Sequence, residues 1–263
     1  MILKGIMIYC LQETWVLGNE VIMVRGHMIF LHNRCEREEG TKGRNPGGVA
    51  IILSPVVIEA WKEAGSNPPT TTSSDSGFFG RLVGIKMSFP SFDKWGKIVR
   101  GYLKLFIASI YHPVIEKEHA EFSNIFSSIL GSLPKRVQFI GGHDVNANLG
   151  VRKRMHGKVI GIHGLNNRNN KGRNLLGVFN ANNLRVVNSF FKKRNYTTWR
   201  SFCEKKSPHM LDIITRSTSF FKCVNDCGAV PDGVRSDHSA VRMVFLNRSI
   251  KFKSNFVERP IID

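Results

Sequence analysis

The sequence has no run of about 18 consecutive apolar residues, the length at which a membrane-spanning helix becomes a candidate. It also has no recognisable secretory signal, because the apolar start at residues 1–10 has no basic segment before it and no small-residue cleavage site after it. Its five cysteines are an odd number, which in such a chain favours reduced thiols inside a cell. We therefore expect an intracellular protein, nuclear or cytoplasmic, that is neither secreted nor bound to a membrane.

Acidic residues are scarce, with 20 Asp and Glu against 38 Lys and Arg, so the formal net charge is +18. Such an excess predicts a polyanionic partner and salt-sensitive binding. A single basic cluster usually means a solvated surface, but here several clusters follow candidate active-site strands, which favours nucleic acid, and DNA in particular. An anionic membrane is the other polyanion, but no basic amphipathic helix of useful length occurs. The residues expected to contact the nucleic-acid backbone are Arg152, Lys153, Lys171, Arg173 and Arg200.

At 263 residues and 42% hydrophobic composition, the chain can bury a full core as one domain, which we expect over 1–247 with a basic tail over 248–263. Apolar residues recur at helical spacing before Pro134 and again over 171–182, which predicts two helices. Short apolar runs rich in β-branched residues predict strands between them. Alternating strands and helices with hairpins predict an α/β fold in which two mixed sheets pack face to face with helices outside. The predicted strands span 1–10, 47–55, 79–89, 102–110, 137–140, 184–188, 196–200, 210–214 and 240–246.

The segment after the 137–140 run is the most informative in the chain. Two glycines break this run, and Asp144 and Asn146 then follow. We expect both side chains at the carboxyl end of a strand and pointing the same way, since strand side chains repeat every second residue. Ligands of open α/β sheets bind at that end. A carboxylate beside an amide there suits cleavage of a phosphate ester, although Asp-x-Asn after a strand is also an ordinary turn.

Four further motifs occur in a fixed order around this segment, each at the end of an apolar run or inside one. Together the motifs resemble those of the endonuclease/exonuclease/phosphatase superfamily, and most closely the apurinic-type endonuclease domain of non-LTR retrotransposons. The resemblance extends from about Ile8 to Phe245. It implies a four-layer α/β sandwich and a metal-dependent endonuclease that hydrolyses a phosphodiester bond of DNA. The four motifs are Gln12-Glu13-Thr14, Tyr111-His112-Pro113, Leu211-Asp212 and Ser236-Asp237-His238.

The resemblance also implies a metal site. Glu13 would be the Mg²⁺ ligand, with Mn²⁺ as an alternative metal, and Asp237 would add a carboxylate near it. One or two carboxylates plus a substrate phosphate is the usual way in which proteins hold Mg²⁺. A cap or a salt bridge is the structural alternative for Glu13.

The same resemblance implies the catalytic roles. Asp144 would orient or deprotonate the attacking water, and Asn146 would contact the scissile phosphate. His238 would bind a phosphoryl oxygen or relay a proton, and Asp212 would hold its other ring nitrogen and fix its tautomer. Tyr111 would contact the phosphate or the leaving group.

Expectations also follow for two neighbours of these motifs. His143 is expected in the wall of the site, with contact to substrate and no contact both left open. Trp199 is expected in the core rather than as a stacking platform for a base.

The chain departs from the family pattern at its start. The family has a first strand carrying an Asn before the motif that contains Glu13, and only twelve residues precede Glu13 here. We therefore expect the first strand to be missing, which puts activity in doubt. Three functions stay open: a DNA-nicking endonuclease, a catalytically dead nucleic-acid-binding retrotransposon remnant, and a phosphatase of the same superfamily. A reverse transcriptase domain in the parent polyprotein is a further candidate partner.

Overall fold

The computed structural model describes residues 5–33, 47–73, 76–92, 98–153, 158–201, 207–230 and 236–245. The expected tail over 248–263 lies outside these ranges. Within them, no helix is long and apolar enough to cross a membrane. The helices are α1 (Pro55–Lys62), α2 (Glu116–Ser132) and α3 (Asn170–Ala181). The strands are β1 (Ile8–Gln12), β2 (Val21–Val24), β3 (His27–His32), β4 (Val49–Leu53), β5 (Thr70–Thr71), β6 (Leu82–Phe92), β7 (Ile98–Tyr111), β8 (Gln138–Asp144), β9 (Leu184–Val186), β10 (Asp212–Ser217), β11 (Val224–Ala229) and β12 (Val241–Phe245).

The strands form a four-stranded sheet in the order β1-β4-β3-β2 and a six-stranded sheet in the order β5-β6-β7-β8-β10-β9. β11 and β12 pair with each other as a separate two-stranded sheet. Among the described strands, β1 therefore pairs only with β4, and β12 pairs only with β11. This mixed α/β architecture confirms the fold class expected from the sequence.

The two faces of β7 show how the sequence makes this sandwich. Its buried residues alternate, because successive side chains of a strand point to opposite faces. Leu105 and Ile107 pack in the core between the two large sheets, together with β4 and α1. Phe106 and Ala108 face the other way, in a second core that α2 and α3 cover.

The two predicted helices are confirmed, with α2 burying Phe122 and Phe126 and α3 burying Leu175 and Phe179. As predicted, α2 ends before Pro134, and α3 differs from the predicted 171–182 by one residue at each end. The segment 196–200 contains no strand, and β2, β3, β5 and β11 were not predicted.

The prediction that two glycines end the 137–140 strand was wrong, because β8 continues through them to Asp144. The physical reason is close packing between layers. A Cβ on Gly142 would lie 2.6 Å from the Cβ of Cys10 in β1, and a Cβ on Gly141 would lie 2.5 Å from Nε2 of His143. Gly142 therefore lets β8 approach β1, and Gly141 leaves space for the side chains of His143 and Phe139 in the same strand, so the two glycines do not form a turn.

Candidate active site

Three neighbouring strands of the six-stranded sheet bring together three of the predicted residues. β8 runs parallel to β7 and antiparallel to β10, and the register places Tyr111 and Asp212 opposite Asp144. The ends of β7 and β8 and the start of β10 therefore meet at one edge of the sheet. This edge is where the sequence motifs predicted the site.

The four-stranded sheet supplies Glu13, which follows β1 with a left-handed backbone at φ +52°. The preceding Gln12 ties β1 to the other sheet, since its side-chain amide donates to Ser109 Oγ at 2.8 Å and to the Gly142 carbonyl at 3.2 Å. The Tyr111 hydroxyl then donates to Glu13 Oε1 at 2.5 Å. Glu13 is thus fixed at the same edge as Asp144, although it belongs to a different sheet.

Tyr111 is buried, and it is held on its other side by Arg81, whose guanidinium lies 4.5 Å from the centre of the phenol ring. Burial raises the pKa of the Tyr111 hydroxyl, and the hydrogen bond to Glu13 and the charges of Glu13 and Asp144 raise it further. Tyr111 is therefore a neutral hydrogen-bond donor at physiological pH.

Asn146 does not continue the strand, because its backbone is left-handed at φ +42°. Its N–H donates to Asp144 Oδ1 at 3.0 Å, and its side-chain amide donates to the His112 carbonyl at 2.9 Å. The expectation that strand alternation aligns Asp144 and Asn146 was therefore wrong. A tight turn aligns them instead, and we call residues 144–146 the catalytic turn below.

Asp144 is the most perturbed carboxylate of the site. It is 2% exposed, and burial raises its pKa to about 7, with a further rise from the charges of Asp212 and Glu13. His238 and the Asn146 N–H lower this pKa but do not cancel the effect of burial. A carboxylate with a pKa near neutrality suits a general base.

His238 is paired with Asp212, since its Nδ1–H donates to Asp212 Oδ2 at 2.9 Å. Burial alone would lower the pKa of His238, but this hydrogen bond and the charges of Asp212, Asp144 and Asp237 outweigh burial and raise it to about 9. Asp212 is itself positioned by Thr198, whose Oγ1 accepts its backbone N–H at 2.9 Å. The predicted pairing of Asp212 with His238 is present in the structure.

These groups face one open cleft of about 600 Å³. Trp199 lies in its wall, partly buried, and its indole N–H donates to Asp237 Oδ2 at 3.0 Å. The expectation that Trp199 belongs to the core was therefore wrong. The expectation that His143 lies in the wall of the site was also wrong, because His143 is buried and its ring contacts Thr215. Among the predicted residues, the cleft is lined by Glu13, Asp144, Asn146, Lys171, Asp237 and His238.

The other predicted basic residues lie elsewhere on the surface. Arg152, Lys153, Arg173 and Arg200 are exposed and do not line the cleft. Lys171 differs, because its ammonium group donates to the Val114 carbonyl at 2.7 Å at the mouth of the cleft. Burial lowers the pKa of Lys171, against the raising effect of the charges of Glu116 and Asp144.

Sequence reasoning missed an amide-rich wall of the cleft that includes Asn148, Asn167 and Asn169. His209 belongs to this wall, and its Nδ1 donates to Asn148 Oδ1 at 2.9 Å. The density of asparagines in 146–170 is visible in the sequence. His209 had no signal other than its place three residues before Asp212.

The donor set of the cleft fits a hard cation. Glu13, Asp144 and Asp237 present carboxylates to one space. Burial, with the charges of Asp212 and Glu13, raises the pKa of Asp144, and a cation in this space would favour its ionised form. In the part of the chain that the structure describes, no group of three or more His, Cys, Asp and Glu side chains is arranged to hold a metal ion.

Neither a protein-family model nor a curated protein matches the chain. Several solved structures are similar to it. An AP endonuclease from Archaeoglobus fulgidus is 16% identical, with a TM-score of 0.57 over 90% of this chain and 88% of that one. A 3′ phosphatase from Neisseria, bound to product DNA hairpin, is 13% identical, with a TM-score of 0.57 over 90% and 88%.

The endonuclease domain of TRAS1, a telomere-specific non-LTR retrotransposon, is 15% identical, with a TM-score of 0.47 over 84% of this chain and 81% of that one. At these identities the comparisons concern the fold. The chain has the endonuclease/exonuclease/phosphatase fold, as its ordered motifs predicted.

Proposed function

We propose that this domain is a metal-dependent phosphodiesterase that nicks DNA, of the retrotransposon endonuclease type. The observation that carries the proposal is the single cleft onto which Asp144, Asp237 and His238 open, with Asp212 behind His238. The cleft brings the carboxylates of Asp144 and Asp237 together with His238, whose raised pKa of about 9 keeps the ring protonated at neutral pH. The net charge of +18 supports a polyanionic substrate rather than a small one.

Each residue has a chemical task in this proposal. Asp144 takes a proton from the attacking water, since its pKa near neutrality leaves it both ionised and basic. His238 carries a proton at neutral pH and donates it as a hydrogen bond to a phosphoryl oxygen, with its tautomer and orientation fixed by Asp212. Asn146 uses one amide N–H on the His112 carbonyl and has a second for a phosphate oxygen.

A Mg²⁺ or Mn²⁺ ion held by Glu13 and Asp237 would neutralise the phosphate and stabilise charge on the leaving oxygen. Tyr111 positions Glu13 for this task through the hydrogen bond from its hydroxyl. Trp199 does the same for Asp237.

The experiment is nicking of supercoiled plasmid in Mg²⁺ and in EDTA, with Asp144→Ala and His238→Ala beside the unaltered chain. Glu59→Gln is the matched control, because Glu59 is an exposed carboxylate that pairs with Lys62 on α1. We expect Mg²⁺-dependent nicking that both site variants lose and the control retains. Nicking that persists in Asp144→Ala would contradict the proposal.

A phosphatase is the second candidate, because one of the similar structures is a 3′ phosphatase that holds a DNA hairpin. DNA with a terminal 3′ phosphate and an intact interior separates the two activities. Release of inorganic phosphate without strand cleavage would favour the phosphatase.

A catalytically dead remnant that binds DNA is the third candidate, and the net charge of +18 supports its binding to a polyanion. Salt-sensitive DNA binding without Mg²⁺-dependent nicking in the plasmid experiment would favour it. Association with a reverse transcriptase in one polyprotein likewise remains a proposal.

A further inference from the structure

Directly behind the catalytic turn lies a cluster of three histidines that the proposed chemistry does not use. His112, His119 and His143 are 0%, 1% and 2% exposed. The His112 ring stacks on both others, with ring centres 5.2 Å from His119 and 5.4 Å from His143. Burial lowers the pKa of each ring, so all three are neutral at physiological pH. A buried neutral imidazole has one donor and one acceptor nitrogen, and hydrogen bonds determine which is which.

The tautomer of His119 follows from its partner. Its Nε2 lies 2.9 Å from the carbonyl oxygen of Val145, which can only accept, so the proton is on Nε2. This bond joins helix α2 to the middle residue of the catalytic turn.

The other two rings form a chain that ends on β10. Nε2 of His112 lies 3.2 Å from Nδ1 of His143, and Nε2 of His143 lies 2.7 Å from Thr215 Oγ1. A proton on Nδ1 of His112 would be a buried donor without a partner among the described residues, and buried N–H groups are rarely left unpaired. His112 therefore donates to His143, and His143 donates to Thr215.

All three residues of the catalytic turn are fixed from this cluster. The His112 N–H donates to the Asp144 carbonyl at 2.9 Å, and the His112 carbonyl accepts from the Asn146 amide at 2.9 Å. Between these two, Val145 is held by His119. Since Asn146 has a left-handed backbone, the turn needs such external hydrogen bonds to keep its shape.

We propose that His112, His119 and His143 are positioning residues that hold the catalytic turn, and that His119 is the direct link through Val145. The inference rests on the proposed function for its activity test, but not for its structural test. Because none of the three rings lines the cleft, we expect their loss to change the turnover rate and to leave the affinity for DNA unaltered.

The decisive variants are His119→Leu, which removes the donor, and His119→Gln, whose amide can place an N–H near the position of imidazole Nε2. We expect His119→Leu to lower kcat by about 10- to 100-fold with KM unchanged, because small misplacements of catalytic groups cost rates of this order. We expect His119→Gln to recover most of kcat. Equal losses in the two variants would overturn the proposal.

Leu130→Ala is the matched control for destabilisation, because Leu130 is a buried residue of the same helix, 11 residues further on and therefore about 16 Å along the axis. It opens a cavity without touching the turn, so we expect a lower Tm and an unchanged kcat. If Leu130→Ala lowers kcat as far as His119→Leu does, the histidine acts through stability alone and the proposal fails.

Amide hydrogen exchange of the peptide that contains 144–146 tests the same inference without any activity. Faster exchange in His119→Leu, but not in His119→Gln or Leu130→Ala, would support it, and unchanged exchange in His119→Leu would overturn it. A chain that does not nick DNA but shows this exchange pattern would contradict the proposed function and not the role of the histidines.

Discussion

The pairing of Asp212 with His238 makes a quantitative prediction about pH. In the unaltered chain, Asp144 must lose a proton and His238 must keep one, so the rate should rise with a pKa of about 7 and fall with a pKa of about 9. A bound cation moves the rising, acidic limb of the pH–rate curve to more acidic pH, because it favours the ionised form of Asp144. The falling, alkaline limb, called the upper limb below, reports the deprotonation of His238.

Asp212→Asn keeps a hydrogen-bond acceptor for His238 and removes the charge. The difference between the ordinary pKa of 6.5 and about 9 corresponds to roughly 3 kcal/mol in favour of the protonated ring, and Asp212 contributes the largest raising effects. Loss of one adjacent charge should therefore move the upper limb down by about 1 to 3 pH units. The lower limb moves the same way, because the charge of Asp212 also raises the pKa of Asp144.

The assay is the initial rate of plasmid nicking at saturating Mg²⁺ from about pH 5 to about pH 10, compared between the two chains. A control series on Asp226→Asn accounts for general effects of charge, because Asp226 pairs with Lys193 rather than with a group of the cleft. An upper limb that stays in place in Asp212→Asn would refute the assignment of that limb to His238.

Three further predictions concern stability and binding. Asp144→Asn should raise Tm, because burial raises the pKa of Asp144 and the folded chain therefore favours the protonated carboxyl group. The stabilisation from this protonated group is complete below pH 3.8 and is lost as pH rises through about 7. The gain in Tm of Asp144→Asn should therefore grow over that interval, and a constant gain would contradict this reasoning. Gly142→Ala should lower the free energy of unfolding by about 1–3 kcal/mol, measured by urea denaturation, because its Cβ would lie 2.6 Å from the Cβ of Cys10. Lys171→Gln should weaken DNA binding and reduce by about one the slope of log affinity against log salt concentration, measured by fluorescence anisotropy. The effect should be larger than that of Arg173→Gln, because Arg173 is exposed and lies away from the cleft.

The sequence predicted the site better than it predicted the strands that build it. Glu13, Asp144, Asp237 and His238 were recognised from ordered motifs, and the structure brings all four to one cleft. Their order along the chain carried the information, because each motif ends or begins a strand at the same edge of the sandwich. Periodicity likewise predicted α2 and α3, whose apolar residues repeat every third and fourth position.

The errors arose where distant contacts decide the local conformation. Gly141 and Gly142 look like a turn in the sequence, but they lie in a strand because β1 and His143 occupy the space of a side chain. Trp199 looks like a core residue, but its indole N–H reaches Asp237, 38 positions away. The histidine cluster also depends on contacts across 26 to 72 positions, which no local pattern contains.

Glu13 and Asp144 are carried by different sheets, and only the packing between those sheets brings them together. The site is thus a property of the assembled sandwich and of no smaller part. Under the proposed function, any local opening that lets β1 move away from β8 would abolish catalysis while most helices and strands remain formed. On gentle warming, nicking should therefore disappear before the circular dichroism signal changes, so that enzyme activity serves as an early sensor of separation between the layers.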